Sequence, residues 1–390
     1  MRKHLNLLRE FSFPLLLGAV IAIGWANLDS HSYHAFLEEP IIAGLSLHFI
    51  TNDLFMAFFF GIAAVEITQS CLPRGDLYPL KRALNPLMAT IGGVVGPVGL
   101  YLLLNALFGT PDLTWGWGIP TATDIAFAWL AARSVFGLHH PAISFLLLLA
   151  VADDALGLII IAVFYGDPLT PAAPAWLLLT AGAMALCWFF RRIRVMNYWP
   201  YLIAGGGLSW LGLFLAHMHP ALALVFVIPF LPHAPTEQAH LFDLAPGELA
   251  PLSRFEHDWK LFVDLGLFMF GLVNSGVAFS HIGTATWLVL TSLVAGKMIG
   301  VFFFGILAVW LGYPLPTGIG KRELAAIGLL AGIGFTVALF IAGEAFSDPV
   351  YAGGAKIGAM LSLFAGVPAL VLMRVAKRKT PEVRVCDAPD

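Results

Sequence analysis

The chain has 390 residues, 59% of them hydrophobic and only 12% charged, with a mean hydropathy of +0.84. Soluble domains carry roughly 25% charged residues, so this composition excludes a soluble globular protein. The net charge of −3 says little about partners, because in such a chain charge is sorted loop by loop.

Apolar runs of about 20 residues recur along the whole length, as a hydrocarbon core roughly 30 Å thick requires of each crossing helix. The chain reads as an all-α polytopic membrane protein, a single membrane domain over 1–390. Twelve candidate spans fall near 11–28, 41–67, 83–108, 114–136, 141–165, 174–190, 198–216, 219–232, 259–280, 285–311, 323–346 and 352–374. The first follows Arg2, Lys3 and Arg9 and resembles a signal peptide, but its length and the spans after it identify an uncleaved helix. The longest hydrophilic stretch, 232–258, reads as a cytoplasmic linker too short for a domain of its own.

Lys and Arg fix the orientation. Arg74, Lys81, Arg82, Arg133, Arg191, Arg192, Arg194, Arg254, Lys260, Lys321, Arg322 and the basic C-terminal tail all fall on one face with the basic N-terminus. The opposite loops hold none, so both termini are expected in the cytoplasm of a bacterial inner-membrane protein. On this topology Cys71, Cys187 and Cys386 lie at or near a reducing compartment as free thiols. Two cations break the pattern. Lys356 lies near the outer end of the last span, placed to snorkel or to pair with Glu344. Lys297 lies about twelve residues into an apolar run, beyond the reach of either surface.

The chemistry concentrates at 119–165. Pro120 removes a backbone donor in Ile119-Pro120-Thr121-Ala122-Thr123-Asp124, gathering two Thr hydroxyls, freed carbonyls and a carboxylate at membrane depth. Such hard oxygens suit a small, partly dehydrated cation. Asp153 and Asp154 fall near the middle of the next span, where each unpaired carboxylate costs roughly 2.5–3.5 kcal/mol. Neighbouring helical residues point about 100° apart, so one acid can face a cation while the other faces a neighbouring helix. Lys297 supplies a counter-charge, either as a structural ion pair or as a proton carrier. A second break, Gly332-Ile333-Gly334-Phe335-Thr336, sits in the eleventh span as Pro120 sits in the fourth. Interrupted helices in corresponding positions of two halves point to an inverted-repeat transporter, with 83–165 and 285–374 as the repeat core.

Together Thr123-Asp124, Asp153-Asp154, Lys297 and the Gly-Ile-Gly-Phe-Thr break resemble the signature of the NhaA-type bacterial sodium/proton antiporters, and the likeness extends from about Asn52 to Ala376. The resemblance implies twelve helices with inverted repeats, spans four and eleven unwound and crossing at mid-membrane. It implies that Asp153 and Asp154 take Na+ or Li+ and the protons, that Thr123 and Asp124 complete the crossing, and that Lys297 pairs with Asp153. Acids at both dyad positions resemble the electrogenic branch, and a homodimer is implied as well. Asn52, Asp53, Glu66, His219, Glu256 and His257 match family positions, several of them tied to pH regulation. Thr68, Gln69 and Ser70 replace the charged residues expected after Glu66, and Lys260 replaces a histidine, so alkaline activation is in question. Asp264 and Glu344 are further acids outside the positions that carry the resemblance.

The reading is therefore a secondary antiporter exchanging cytoplasmic Na+ or Li+ for external H+ in the service of pH homeostasis, with no enzymatic activity, no cofactor and no nucleic-acid partner. Its rivals are a coupled transporter of another small solute, a cation channel and an intramembrane aspartyl protease. A channel has no need of a buried lysine, and an organic anion would call for more than one basic residue at depth.

Overall fold

Hydrogen bonding dictates the architecture, because a backbone with no water around it must satisfy its own N–H and C=O groups. A computed structural model describes residues 13–42, 44–72, 80–137, 140–165, 173–233 and 250–378. The charged N-terminal stretch, Arg74, His139, the 166–172 loop, most of the 232–258 linker, Cys386 and the tail beyond 378 lie outside the described residues.

The elements in order are α1 (Phe13–Leu28), α2 (Ser30–Glu38), a hairpin of β1 (Pro40–Ile42) and β2 (Leu45–Ser46), α3 (Leu47–Cys71) and α4 (Leu80–Phe108). A 3-10 segment (Pro111–Thr121) leads into α5 (Ile125–Phe136), followed by α6 (Pro141–Phe164), α7 (Leu177–Arg192) and α8 (Tyr201–Leu215). A second 3-10 segment (Pro220–Phe230) precedes α9 (Pro251–Asn274), α10 (Thr284–Trp310), α11 (Lys321–Ala331), α12 (Phe335–Ala345) and α13 (Pro349–Val375). By length and composition α3, α4, α6, α10, α13 and the Pro174–Arg192 segment containing α7 can each cross a bilayer, and the bent pair α11–α12 forms a further span.

Three boundaries differ from the sequence reading. The second span was expected from residue 41, but 40–46 pairs as an antiparallel hairpin turned at Gly44, whose φ of 80° favours glycine. The ninth was expected from 259, but α9 begins at Pro251, so its first turns are charged and extend beyond the apolar run. The eighth is 3-10 rather than α; at about 2.0 Å per residue the tighter helix carries a short segment further.

Close approach of backbones holds the bundle together. A Cβ on Gly300 of α10 would collide with the Gly92 carbonyl of α4, and one on Gly96 with the Gly296 carbonyl. The backbones therefore touch, which is how helices gain packing energy where lipid is as apolar as leucine. The same device joins α1 to α9, through Gly18 against the Phe268 carbonyl and Gly271 against that of Leu15. Large apolar residues such as Leu103, Phe108, Leu178 and Trp310 stay on the outside, the surface a bilayer would cover.

Candidate ion-binding site

Two chain breaks meet in the centre. The first 3-10 segment ends at Thr121, and Ala122 to Asp124 runs extended before α5 starts. The second break separates α11 from α12, which are bent by 49° across residues 332–334. The two strands of backbone bond directly, Asp124 N–H to the Ile333 carbonyl at 2.6 Å. A Cβ on Gly334 would sit 3.0 Å from the Ala122 carbonyl, so the crossing tolerates no side chain there. Gly334 N–H is taken up by Ser362 Oγ of α13 at 3.1 Å, and that hydroxyl donates in turn to the Ala359 carbonyl at 2.6 Å.

Asp124 is buried, and both its carboxylate oxygens are occupied from within the chain. Oδ1 accepts Phe127 N–H at 3.2 Å as the N-cap of α5. Oδ2 accepts both the N–H and the hydroxyl of Thr336, at 3.2 and 2.7 Å, in the first turn of α12. The N-termini of both half-helices thus converge on one carboxylate, and each carries a partial positive charge. The negative ends find donors too: Ala331, at the end of α11, accepts from the Thr123 hydroxyl at 2.8 Å.

Asp153 of α6 is fully buried. Its Oδ2 accepts from the ammonium of Lys297 and from the hydroxyl of Thr123, the latter at 2.6 Å. Lys297 also donates to Thr123 Oγ1. The hydroxyl has a single proton to share between Asp153 and Ala331, so the lysine bond helps to fix which way it turns. Lys297 sits at 0% exposure where a π-helical turn, Ser292–Gly296, hands over to the α-helix. That wide turn and the Gly296–Gly300 contact with α4 set the ammonium against Asp153 rather than against lipid.

One oxygen on each member of the dyad has no partner. Asp153 Oδ1 and Asp154 Oδ1 are both buried and accept nothing among the described residues. Asp154 is partly open and stands within electrostatic reach of Asp153, Glu66, Asp124 and Lys297. Glu66 of α3 lies between Asp154 and a cluster toward the charged end of α9, where it is within electrostatic reach of Glu256 and Lys260. Gln69 donates to Glu256 Oε2 at 2.9 Å. His257 is exposed.

Several residues are used differently from the sequence reading. Thr121, expected among the oxygens gathered at the break, instead donates to the Gly118 carbonyl at 2.7 Å and closes its own 3-10 turn. Pro120 lies inside that turn, so the chain opens two residues later than expected. Glu344, one of two options offered for Lys356, lies within electrostatic reach of it and also faces His219, whose Nε2 is 3.4 Å from its Oε1. Ser362 escaped notice; its only signal was a hydroxyl in an otherwise apolar last span.

Apolar helices interrupted where two breaks cross, with buried acids and one buried amine beside them, form the scaffold of a secondary transporter. The particular kind follows from comparison: the sequence model for Na+/H+ antiporter 1 matches residues 4–373, and the chain belongs to that family. It is 62% identical to the Na(+)/H(+) antiporter NhaA of Geobacter sulfurreducens, covering 96% of this chain and 98% of the relative. It is 61% identical to that of Geobacter metallireducens (98% and 100% covered) and 58% identical to that of Desulfitobacterium hafniense (96% and 96%).

Proposed function

We propose that the protein is a bacterial inner-membrane antiporter that exports Na+, or Li+, in exchange for external H+ by alternating access, moving net charge in each cycle. The observation that carries this reading is the division of labour among the three acids. Asp124 spends both oxygens on the crossing, whereas Asp153 and Asp154 each retain a buried oxygen without a partner. A buried acceptor with nothing to accept is unfavourable, and either a partly dehydrated cation or a proton relieves it.

Competition between the two then couples the fluxes. A sodium ion on Asp153 Oδ1 and Asp154 would meet the Lys297 ammonium across one carboxylate, so loading the ion favours loss of a proton from this group of side chains. Discharge of the ion reverses the exchange. When more protons than sodium ions move, each net charge gains about 2.3 kcal/mol per 100 mV, which drives sodium uphill. Thr123 and Lys297 hold Asp153 in place, Pro120 lies in the turn that leads into the crossing, Gly332 and Gly334 allow its backbones to approach, and Thr336 ties it to Asp124.

The same reading assigns twelve crossings, both termini in the cytoplasm, and repeats 83–165 and 285–374 rocking around the crossing. It takes a homodimer from family resemblance. Glu66, Gln69, Glu256 and Lys260 line the cytoplasmic approach to Asp154, and proton occupancy there tunes access for the ion. The test uses everted vesicles holding a proton gradient: Na+ or Li+ collapses it, and Asp154→Ala abolishes the collapse. A variant that still responds to Na+ like the wild type removes the site assignment.

A further inference from the structure

Three glycines of α4 meet other helices, and close packing accounts for two of them. A Cβ on Gly92 would collide with the Gly300 carbonyl of α10, and one on Gly96 with the Gly296 carbonyl. Gly93 is different. It is buried, yet a Cβ built there meets no backbone of another helix: its neighbours are Val301 Cγ2 at 3.3 Å and Asp153 Oδ1 at 3.8 Å. The first distance asks one side chain to give slightly, and the second is ordinary contact. Glycine in a helix interior costs stability relative to alanine, so a buried glycine that packing does not require calls for another reason.

That reason lies in what faces it. Asp153 is fully buried, and Oδ1 is the oxygen left without a donor once Lys297 and Thr123 have taken Oδ2. Two contacts hold α4 against this oxygen. Gly92 and Gly96 fix it to α10, which carries Lys297. The Thr90 hydroxyl lies 3.0 Å from the Pro86 carbonyl and 3.4 Å from that of Leu149, one turn before Asp153 in α6. Val301, fully buried one turn after Lys297, borders the same space. The missing side chain therefore leaves room the size of a methyl group against a buried, unpartnered carboxylate oxygen.

We propose that Gly93 is a selectivity-determining residue of the exchange, keeping room beside Asp153 Oδ1 for Na+ and the water it retains. The inference rests on the antiport reading, in which the ion binds at Asp153 and Asp154, and it adds a position that acts by having no side chain. A hard cation that has shed part of its water needs oxygen around it, and a methyl group offers none. Filling the space takes away both volume and a place for a water ligand. Li+ is smaller than Na+, so a narrowed space excludes Na+ first.

Everted vesicles holding a proton gradient test this, with the Na+ and Li+ concentrations for half-maximal collapse measured in one preparation. Gly93→Ala raises the Na+ value relative to the Li+ value by about tenfold, the lower end of what one added carbon is worth in a close-fitting site. Val301→Ala, combined with Gly93→Ala, removes the 3.3 Å contact but leaves the methyl beside Oδ1, so the altered ratio persists. Gly99→Ala, at an exposed position on the same helix with nothing within 4 Å, keeps the wild-type ratio. An unchanged ratio in Gly93→Ala overturns the proposal. So does a ratio that Val301→Ala restores, because Gly93 would then be a packing residue only. A Gly93→Ala protein that assembles but does not transport is read by thermal unfolding in detergent as each ion is added. There the Na+ concentration that stabilises rises more than the Li+ concentration, and equal changes overturn the proposal. Wild-type vesicles in which neither ion collapses the gradient remove the antiport reading itself, a separate outcome that takes this inference with it.

Discussion

Lys297→Met tests most directly how the centre is held. The methionine fills the lysine volume but removes the ammonium, so Asp153 Oδ2 keeps only the Thr123 hydroxyl and Oδ1 remains without a donor. Removing one member of a buried ion pair typically costs about 3–5 kcal/mol, because the remaining charge is left desolvated. Asp153→Asn leaves the ammonium facing a neutral amide and incurs a penalty of the same kind. Combining the two replaces the pair with neutral groups of similar size. The double variant is therefore expected to melt above either single variant, with a coupling of about 2 kcal/mol or more. Thermal unfolding of the four purified proteins in detergent at fixed pH and without sodium measures this. Strictly additive losses, or a Lys297→Met variant as stable as the wild type, would refute the idea that the pair sets the stability of the centre.

Three further outcomes follow from the geometry. Thr336→Val leaves Asp124 Oδ2 with a single backbone donor at 3.2 Å, and about 1–3 kcal/mol of thermal stability is lost, measured by melting in detergent with a matched Thr121→Val control. Gly300→Leu forces α10 away from the Gly92 carbonyl and carries Lys297 with it; sodium-driven collapse of a proton gradient in everted vesicles falls at least tenfold, while Gly99→Leu, at an open position, retains it. Gln69→Glu sets a second carboxylate where an amide now donates to Glu256 at 2.9 Å. The repulsion is present at high pH, where both acids are charged, and is lost as pH falls and one takes a proton. Melting temperatures measured from pH 8.5 down to pH 5 should therefore converge with those of the wild type at the acid end.

The centre was legible because charge is rare in this chain. Asp124, Asp153, Asp154 and Lys297 each interrupt an apolar run, and an interruption so costly calls for a partner that the remaining charges can supply. The breaks were legible for a related reason, since Pro120 and the Gly332–Gly334 pair deny the helix its ordinary bonds. Backbone detail was not. Composition cannot tell an α-helix from the 3-10 turns at 220–230, nor show that Thr121 bonds back to Gly118 while Thr123, two residues on, reaches Asp153. The hairpin at 40–46 was hidden because its apolar residues merge with the run that becomes α3. Glu344 was offered as one option for Lys356, which does lie within its electrostatic reach, but a second neighbour was missed. Its imidazole partner lies 125 positions away, and only the fold brings the two together.

Asp124 carries a last consequence. With donors from Phe127 and Thr336 on both oxygens, the meeting point of the two half-helices is complete without cargo. A cell growing in sodium-poor medium would thus keep an assembled carrier in its membrane rather than one that awaits its ion in order to fold. On the proposed assignment, ion preference would be set around 153 and 154 while the bonds at 124 stay as they are. That assignment gives scaffold and selectivity to different carboxylates, free to evolve apart.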